Sequence, residues 1–130
     1  MYPYYGLSET EYQLMKLFWT RQEPLLFSDV LAHCNEELHL NWAATTAQTY
    51  LSRLMMKGVL ETNGKRYRKS YLAHLTEEEL AQKYAVQVVK ESFGGSVKNL
   101  LTALLRDTTL TQNEADELKQ ILDSCLPDHS

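Results

Sequence analysis

Apolar positions recur along this chain at helical spacing, with strand-like spacing confined to one short region. Leu7-Ser8-Glu9-Thr10-Glu11-Tyr12 predicts a helix start: Ser8 can cap, Glu11 completes a capping box, and Leu7 with Tyr12 forms a hydrophobic staple. The helix runs to about Thr20 with Tyr12, Met15, Phe18 and Trp19 turned inward, and Pro24 bars its continuation. Leu25-Leu26-Phe27 fits a connector or one small strand. Ser28 is placed to cap a second short helix with Val30, Leu31 and Cys34 inward, and a turn over Asn35 to Asn41 follows.

Trp42 to Gly58 organises the rest. Wound at about 100° per residue, it puts Ala44, Ala47, Leu51, Leu54 and Met55 on one arc. Thr45, Thr46, Gln48, Thr49, Ser52 and Arg53 fall on the opposite arc. A solvated helix face ordinarily carries Glu and Lys. This one carries short hydroxyls, an amide and a guanidinium, which hydrogen-bond without setting an acidic charge beside phosphate. Gly58 is placed to close the helix in a left-handed conformation.

Val59-Leu60-Glu61-Thr62 reads as a strand, Asn63-Gly64 as a hairpin signal, and Tyr67 to Leu72 as the returning strand. The turn could equally be a longer loop reaching Arg66 or beyond. Helix, short strand, helix, helix, basic hairpin is the order of a winged helix-turn-helix. Beyond it, Thr76 and Glu79 repeat the capping box with Leu75 and Leu80 as staple, and Leu80, Tyr84 and Val88 form a stripe flanked by Ala81, Ala85 and Val89. Phe93 precedes a break at Gly94-Gly95, and Ser96 caps a helix bearing Val97, Leu100, Leu101, Leu104 and Leu105. Thr111 with Glu114 starts a last helix carrying Leu118, Ile121 and Leu122, ended by Pro127. Three short helices bury little surface by themselves, and a second copy of the chain is the expected remedy. The fold class is therefore mostly α with a small β-wing: a winged helix-turn-helix over residues 1–75 and a helical dimerisation region over 76–130.

Composition changes this picture in one respect. The 130 residues carry a net charge of −4, which by itself argues against a nucleic-acid partner. Its distribution argues the other way: from Trp42 to Leu75 stand Arg53, Lys57, Lys65, Arg66, Arg68 and Lys69 against Glu61 alone. On a DNA reading, Thr45, Thr46, Gln48 and Thr49 reach base edges and phosphates, while Arg53 grips phosphate. Lys65, Arg66, Arg68 and Lys69 form a wing along the backbone or minor groove, and Trp42 either stacks on sugar-phosphate or packs. The bland readings are a polar face meeting water, an ion pair from Arg53 to the first or second helix, and a charged hairpin guarding a sheet edge.

Other chemistry finds no pattern. His33, His39, His74 and His129 lack metal-ligand spacing with one another or with Cys34 and Cys125, so no metal and no cofactor is expected. No Gly-x-Ser-x-Gly, phosphate-cradling glycine loop or His-Glu-x-x-His occurs, so no catalysis is expected either. No apolar run approaches the roughly 18 residues of a membrane span. Met1-Tyr2-Pro3-Tyr4-Tyr5 lacks a signal-peptide layout, and the expected location is cytoplasmic.

Three motifs, in order, carry a resemblance. They are Leu7-Ser8-Glu9-Thr10-Glu11 with Phe18-Trp19; Trp42-x-x-Thr45-Thr46-x-Gln48-Thr49-x-Leu51-x-Arg53-Leu54-x-x-Lys57-Gly58; and Phe93-Gly94-Gly95-Ser96 with Leu100 and Leu104-Leu105. From about Leu7 to Leu122 the chain resembles the penicillinase-repressor family of bacterial transcription factors, which includes the β-lactamase, methicillin-resistance and copper-responsive CopY-type repressors. The resemblance implies a homodimer on a palindromic double-stranded DNA operator, released by an inducing signal, with an upstream sensor protease as partner in the β-lactam-responsive members. It carries the family's DNA contacts to Thr45, Thr46, Gln48, Thr49 and Arg53. Ala43 departs from the family's usual Ser. Ala103-Leu104 stands where those members have a cleaved Asn-Phe bond, and Cys125 stands alone where copper-responsive members carry Cys-x-Cys. Two other classes compete: a winged-helix scaffold that binds protein rather than DNA, and a small sensor using Cys34 and Cys125.

Overall fold

A computed structural model describes residues 4–126; Met1 to Pro3, Pro127 and His129 lie outside it. The elements are α1 (Glu9–Arg21), β1 (Leu25–Leu26), α2 (Phe27–Ala32), α3 (Ala44–Met56), β2 (Leu60–Thr62), β3 (Ser70–Ala73), α4 (Glu77–Ser92), α5 (Val97–Asp107) and α6 (Gln112–Cys125). This is the winged helix with a helical C-terminal region that the pattern predicts. The chain falls into two compact units, Met1–Val86 and Gln87–Ser130.

In the first unit, the Ser8 hydroxyl accepts from Glu11 N–H at 3.2 Å and the Glu11 carboxylate accepts from Ser8 N–H at 2.8 Å, closing the capping box. The helix ends at Arg21, with Gln22 in the left-handed region. Met15 and Phe18 are buried as expected, joined by Leu14 and Leu17. Tyr12 and Trp19 are only half-buried, because each has a polar tip to satisfy. Tyr12 donates its hydroxyl to the Glu77 carboxylate, and Trp19 donates Nε1–H to the Leu75 carbonyl at 2.8 Å.

Ser28 does not cap α2. The helix begins two residues earlier, with Leu26 at the N-cap position, where the Asp29 carboxylate accepts from Leu26 N–H at 3.3 Å. Val30 and Cys34 are buried, whereas Leu31 is half-buried. A single π-helical turn, His33–Glu37, prolongs α2, and His39 and Asn41 take left-handed conformations in the bend that leads to α3.

The sheet order is β1-β3-β2, antiparallel throughout. Leu60 pairs with Ala73 and Thr62 with Tyr71, so the tight Asn63-Gly64 hairpin is replaced by the longer alternative, a loop from Asn63 to Lys69. Val59 lies just outside β2, fully buried, with its carbonyl accepting from His74 N–H at 2.9 Å. The core joins Leu7, Leu14, Met15, Phe18, Val30, Cys34, Leu51, Leu54, Val59, Leu60, Tyr71, Leu75 and Leu80.

Gly58 ends α3 with φ +78, donating its N–H to the Met55 carbonyl at 3.0 Å. A Cβ there would meet nothing within 4 Å, so Gly58→Ala tests backbone strain alone. The substitution should cost about 1–2 kcal/mol, the penalty of an L-residue in the left-handed region, read as a lowered midpoint in urea unfolding.

In the second unit, Gly94 and Gly95 both take positive φ after α4. Ser96 accepts from Asn99 N–H at 3.1 Å to cap α5, and Thr111 with Glu114 forms the capping box of α6. Neither α5 nor α6 has a buried residue. Leu100, Leu101 and Leu118 are half-buried, whereas Val97, Leu104, Leu105, Ile121, Leu122 and Leu126 are exposed.

Candidate nucleic-acid interface

The buried side of α3 is Ala47, Leu51 and Leu54, with Met55 half-buried; Ala44 is exposed because the helix begins with it. That anchorage turns Thr45, Gln48, Thr49, Ser52 and Arg53 to solvent, with Thr46 half-buried. The Thr49 hydroxyl donates to the Thr45 carbonyl at 3.0 Å, which leaves its acceptor capacity for another partner.

Trp42 sits at the entrance to α3, half-buried, its ring stacked on Tyr50 at 4.5 Å with an interplanar angle of 10°. Its backbone is latched twice by Asn35: the side-chain oxygen accepts from Trp42 N–H at 2.7 Å and the side-chain nitrogen donates to the Trp42 carbonyl at 3.1 Å. Arg53 lies with its guanidinium carbon 5.2 Å from the centre of the Tyr50 ring. Among the described residues it makes no ion pair, so the expected competitor, a bridge to α1 or α2, is not formed.

Lys65, Arg66, Arg68 and Lys69 are all exposed on the loop between β2 and β3. Asn63 shapes that loop, accepting from Lys65 N–H at 3.1 Å and donating to the Arg68 carbonyl at 3.3 Å, with Arg68 itself at φ +54. Glu61, the lone acid of the stretch, stands 2.8 Å from His74 Nδ1. Sequence reasoning passed over Tyr67, assigned above to a strand. It stands between Arg66 and Arg68 at 80% exposure, and the alternation of cation and aromatic was the available signal.

A residue pair, also missed by sequence, sets the helix in place. Glu11 is 3% exposed, and its Oε1 accepts from Lys57 Nζ at 2.7 Å; Lys57 also donates to the Gly6 carbonyl at 3.1 Å. Burial pushes the Glu11 carboxyl upward, but hydrogen bonds from Lys57 and Ser8 and the Lys57 charge outweigh it. Its pKa is held below the ordinary 4.5. The start of α1 is thereby bolted to the end of α3.

Of the residues expected to dimerise, Leu80 is in the core of the first unit, and Tyr84 is half-buried with its ring edge toward Tyr5 at 6.4 Å. Val88 and Phe93 are half-buried. Cys34 is buried, its thiol pushed up to about 11 by burial, and Cys125 is exposed; both are unbridged. Among the described residues no cluster of His, Cys, Asp or Glu could hold a metal, and no helix is long and apolar enough to cross a membrane.

A helix with an acid-free polar face, set beside a basic loop on a three-stranded sheet, defines a winged helix-turn-helix of the DNA-binding type. The penicillinase repressor family profile matches residues 7–124, and the chain belongs to that family, whose members are regulatory repressors rather than enzymes. It is 22% identical over 120 residues to the methicillin resistance regulatory protein MecI of Staphylococcus aureus, covering 91% of this chain and 94% of that protein. It is 23% identical over 117 residues to the penicillinase repressor of Bacillus licheniformis, covering 90% and 89%. An uncharacterised 16.5 kDa protein of Latilactobacillus sakei is 29% identical over 117 residues, covering 89% of this chain and 77% of its own length.

Proposed function

We propose that this chain is a cytoplasmic homodimeric repressor that occupies a palindromic DNA operator and is released by an inducing signal. The observation that carries the proposal is the outward arc of α3: Thr45, Gln48, Thr49, Ser52 and Arg53 exposed, with no carboxylate among them. Residues 1–75 would carry recognition and 76–130 self-association. The first turns of α4 belong to the compact unit that ends at Val86, since Tyr12 binds Glu77 and Leu80 enters its core. Exposed Val97, Leu104, Leu105, Ile121 and Leu122 supply an apolar stripe for a second copy, and two-fold symmetry would place two α3 helices on half-sites about one DNA turn apart.

Repression would be steric, with Gln48 and the threonines reading bases while Arg53, Lys65, Arg66, Arg68, Lys69 and Tyr67 hold the backbone. Ala103 and Leu104 lie within the regular helix α5. Cleavage by a sensor protease at that bond would therefore require local unwinding of α5.

The test is a salt-titrated gel shift on the intergenic DNA upstream of the gene. Binding should fall steeply with salt. Arg53→Ala should weaken binding to all sequences alike and reduce the salt slope by about one counterion per recognition helix, whereas Gln48→Ala should change which bases are preferred. If both variants lost affinity uniformly, the assigned division of roles would be wrong. A dimer indifferent to DNA at low salt would instead point to a winged-helix scaffold that binds protein.

A further inference from the structure

Arg53 is the one exposed cation on α3 whose side chain has a partner ring, and that ring is itself held. Asn35 fixes the Trp42 backbone through two hydrogen bonds, Trp42 stacks on Tyr50 nearly parallel, and Tyr50 lies under the Arg53 guanidinium. The four residues form a ladder from the bend before α3 to its outward face. Long cationic side chains lose much rotamer freedom when they bind. A guanidinium lying on an aromatic face keeps its donors directed outward around the rim while its flat surface is covered.

We propose that Tyr50 is a positioning residue that presents the Arg53 guanidinium to a DNA phosphate, with Trp42 acting through Tyr50 rather than on the nucleic acid. The proposal rests on the repressor reading of α3. Removing the ring leaves Arg53 charged and present but unheld, so affinity falls while the charge count does not change. An exposed cation–π contact of about 0.5–1 kcal/mol corresponds to about a two- to fivefold loss per recognition helix.

The experiment is a double-mutant cycle on operator binding with Tyr50→Leu, Arg53→Ala and the pair, together with Tyr50→Phe. Tyr50→Leu should weaken the wild type but change nothing further once Arg53 is alanine, and Tyr50→Phe should bind like wild type. In parallel, NMR of the DNA-free protein should show the Arg53 Nε–H and adjacent CH2 resonances shifted upfield by the ring. That shift should persist in Tyr50→Phe and vanish in Tyr50→Leu. Tyr50→Met is the second variant should Tyr50→Leu fail to fold. Equal losses from Tyr50→Leu with and without Arg53, or Arg53 resonances that do not move, would overturn the proposal. Wild-type protein that shows the ring shift yet binds no DNA at low salt would instead overturn the repressor reading, and the role assigned to Arg53 with it.

Discussion

Replacing Leu104 and Ile121 together by glutamate should give a monomer whose affinity for a two-half-site operator is at least about a hundredfold below that of wild type. The two side chains are 54% and 57% exposed, and neither α5 nor α6 has a buried residue of its own. Each large apolar side chain taken from water contributes about 1.5–3 kcal/mol, which these helices gain only in part within one chain. A carboxylate placed in an apolar interface instead carries a desolvation cost with no partner. Affinity then drops because the second half-site is no longer held at high effective concentration, an effect worth about 10²–10⁴. Sedimentation equilibrium and a gel shift on one operator give both readouts. A variant that stays dimeric and binds normally would place the self-association surface elsewhere.

Lys57→Met should lower the stability of the first unit by about 2 kcal/mol and weaken the pH dependence contributed by Glu11. Removing one partner of a fully buried pair costs about 3–5 kcal/mol. The Lys57 side chain is 34% exposed while that of Glu11 is 4%, so water offsets part of that cost. In the wild type the folded Glu11 carboxyl lies below its ordinary 4.5. Its stabilisation is therefore present above that value and lost as pH falls through the lower folded value. Without Lys57, two of the causes that lower the carboxyl pKa are gone while burial still raises it, so the folded carboxyl moves up from its wild-type position. The folded variant then binds the proton more tightly than the folded wild type, and the deficit of the variant shrinks as pH falls toward 4. Urea midpoints measured from pH 7 down to pH 4 test this, and a deficit that stayed constant or grew in acid would refute the assigned role of the pair.

The parts of this protein that depend on neighbours in sequence were legible in it. Capping boxes at Ser8, Thr76 and Thr111 are local hydrogen-bond patterns, and each closes in the structure. The two arcs of α3 follow from helical periodicity alone, and Gly58 takes the left-handed conformation its position called for. Where two local signals competed, sequence was less reliable. Ser28 was the expected cap of α2, but the helix began at Phe27, and the Asp29 carboxylate next to it serves the helix start instead. Asn63-Gly64 resembled a tight turn, but the register is set by Tyr71, whose buried ring must face the core opposite Leu25 and Thr62. That pairing leaves the basic residues in a loop rather than a strand.

Side-chain chemistry at long sequence separation was beyond the sequence. Glu11 and Lys57 each look like surface residues in their own helices, and only the approach of the start of α1 to the end of α3 pairs them and buries the carboxylate. Tyr50 fell between the two arcs of its helix and drew no assignment, yet its ring joins Trp42 to Arg53. Hydrophobic periodicity and capping are short-range properties, and they were enough for the element order and for the face of α3 that meets solvent. Which residue holds another is decided by three-dimensional packing. For that reason the anchoring of α3 by Glu11 and Lys57, the shape of the basic loop and the support beneath Arg53 emerged only with the tertiary structure.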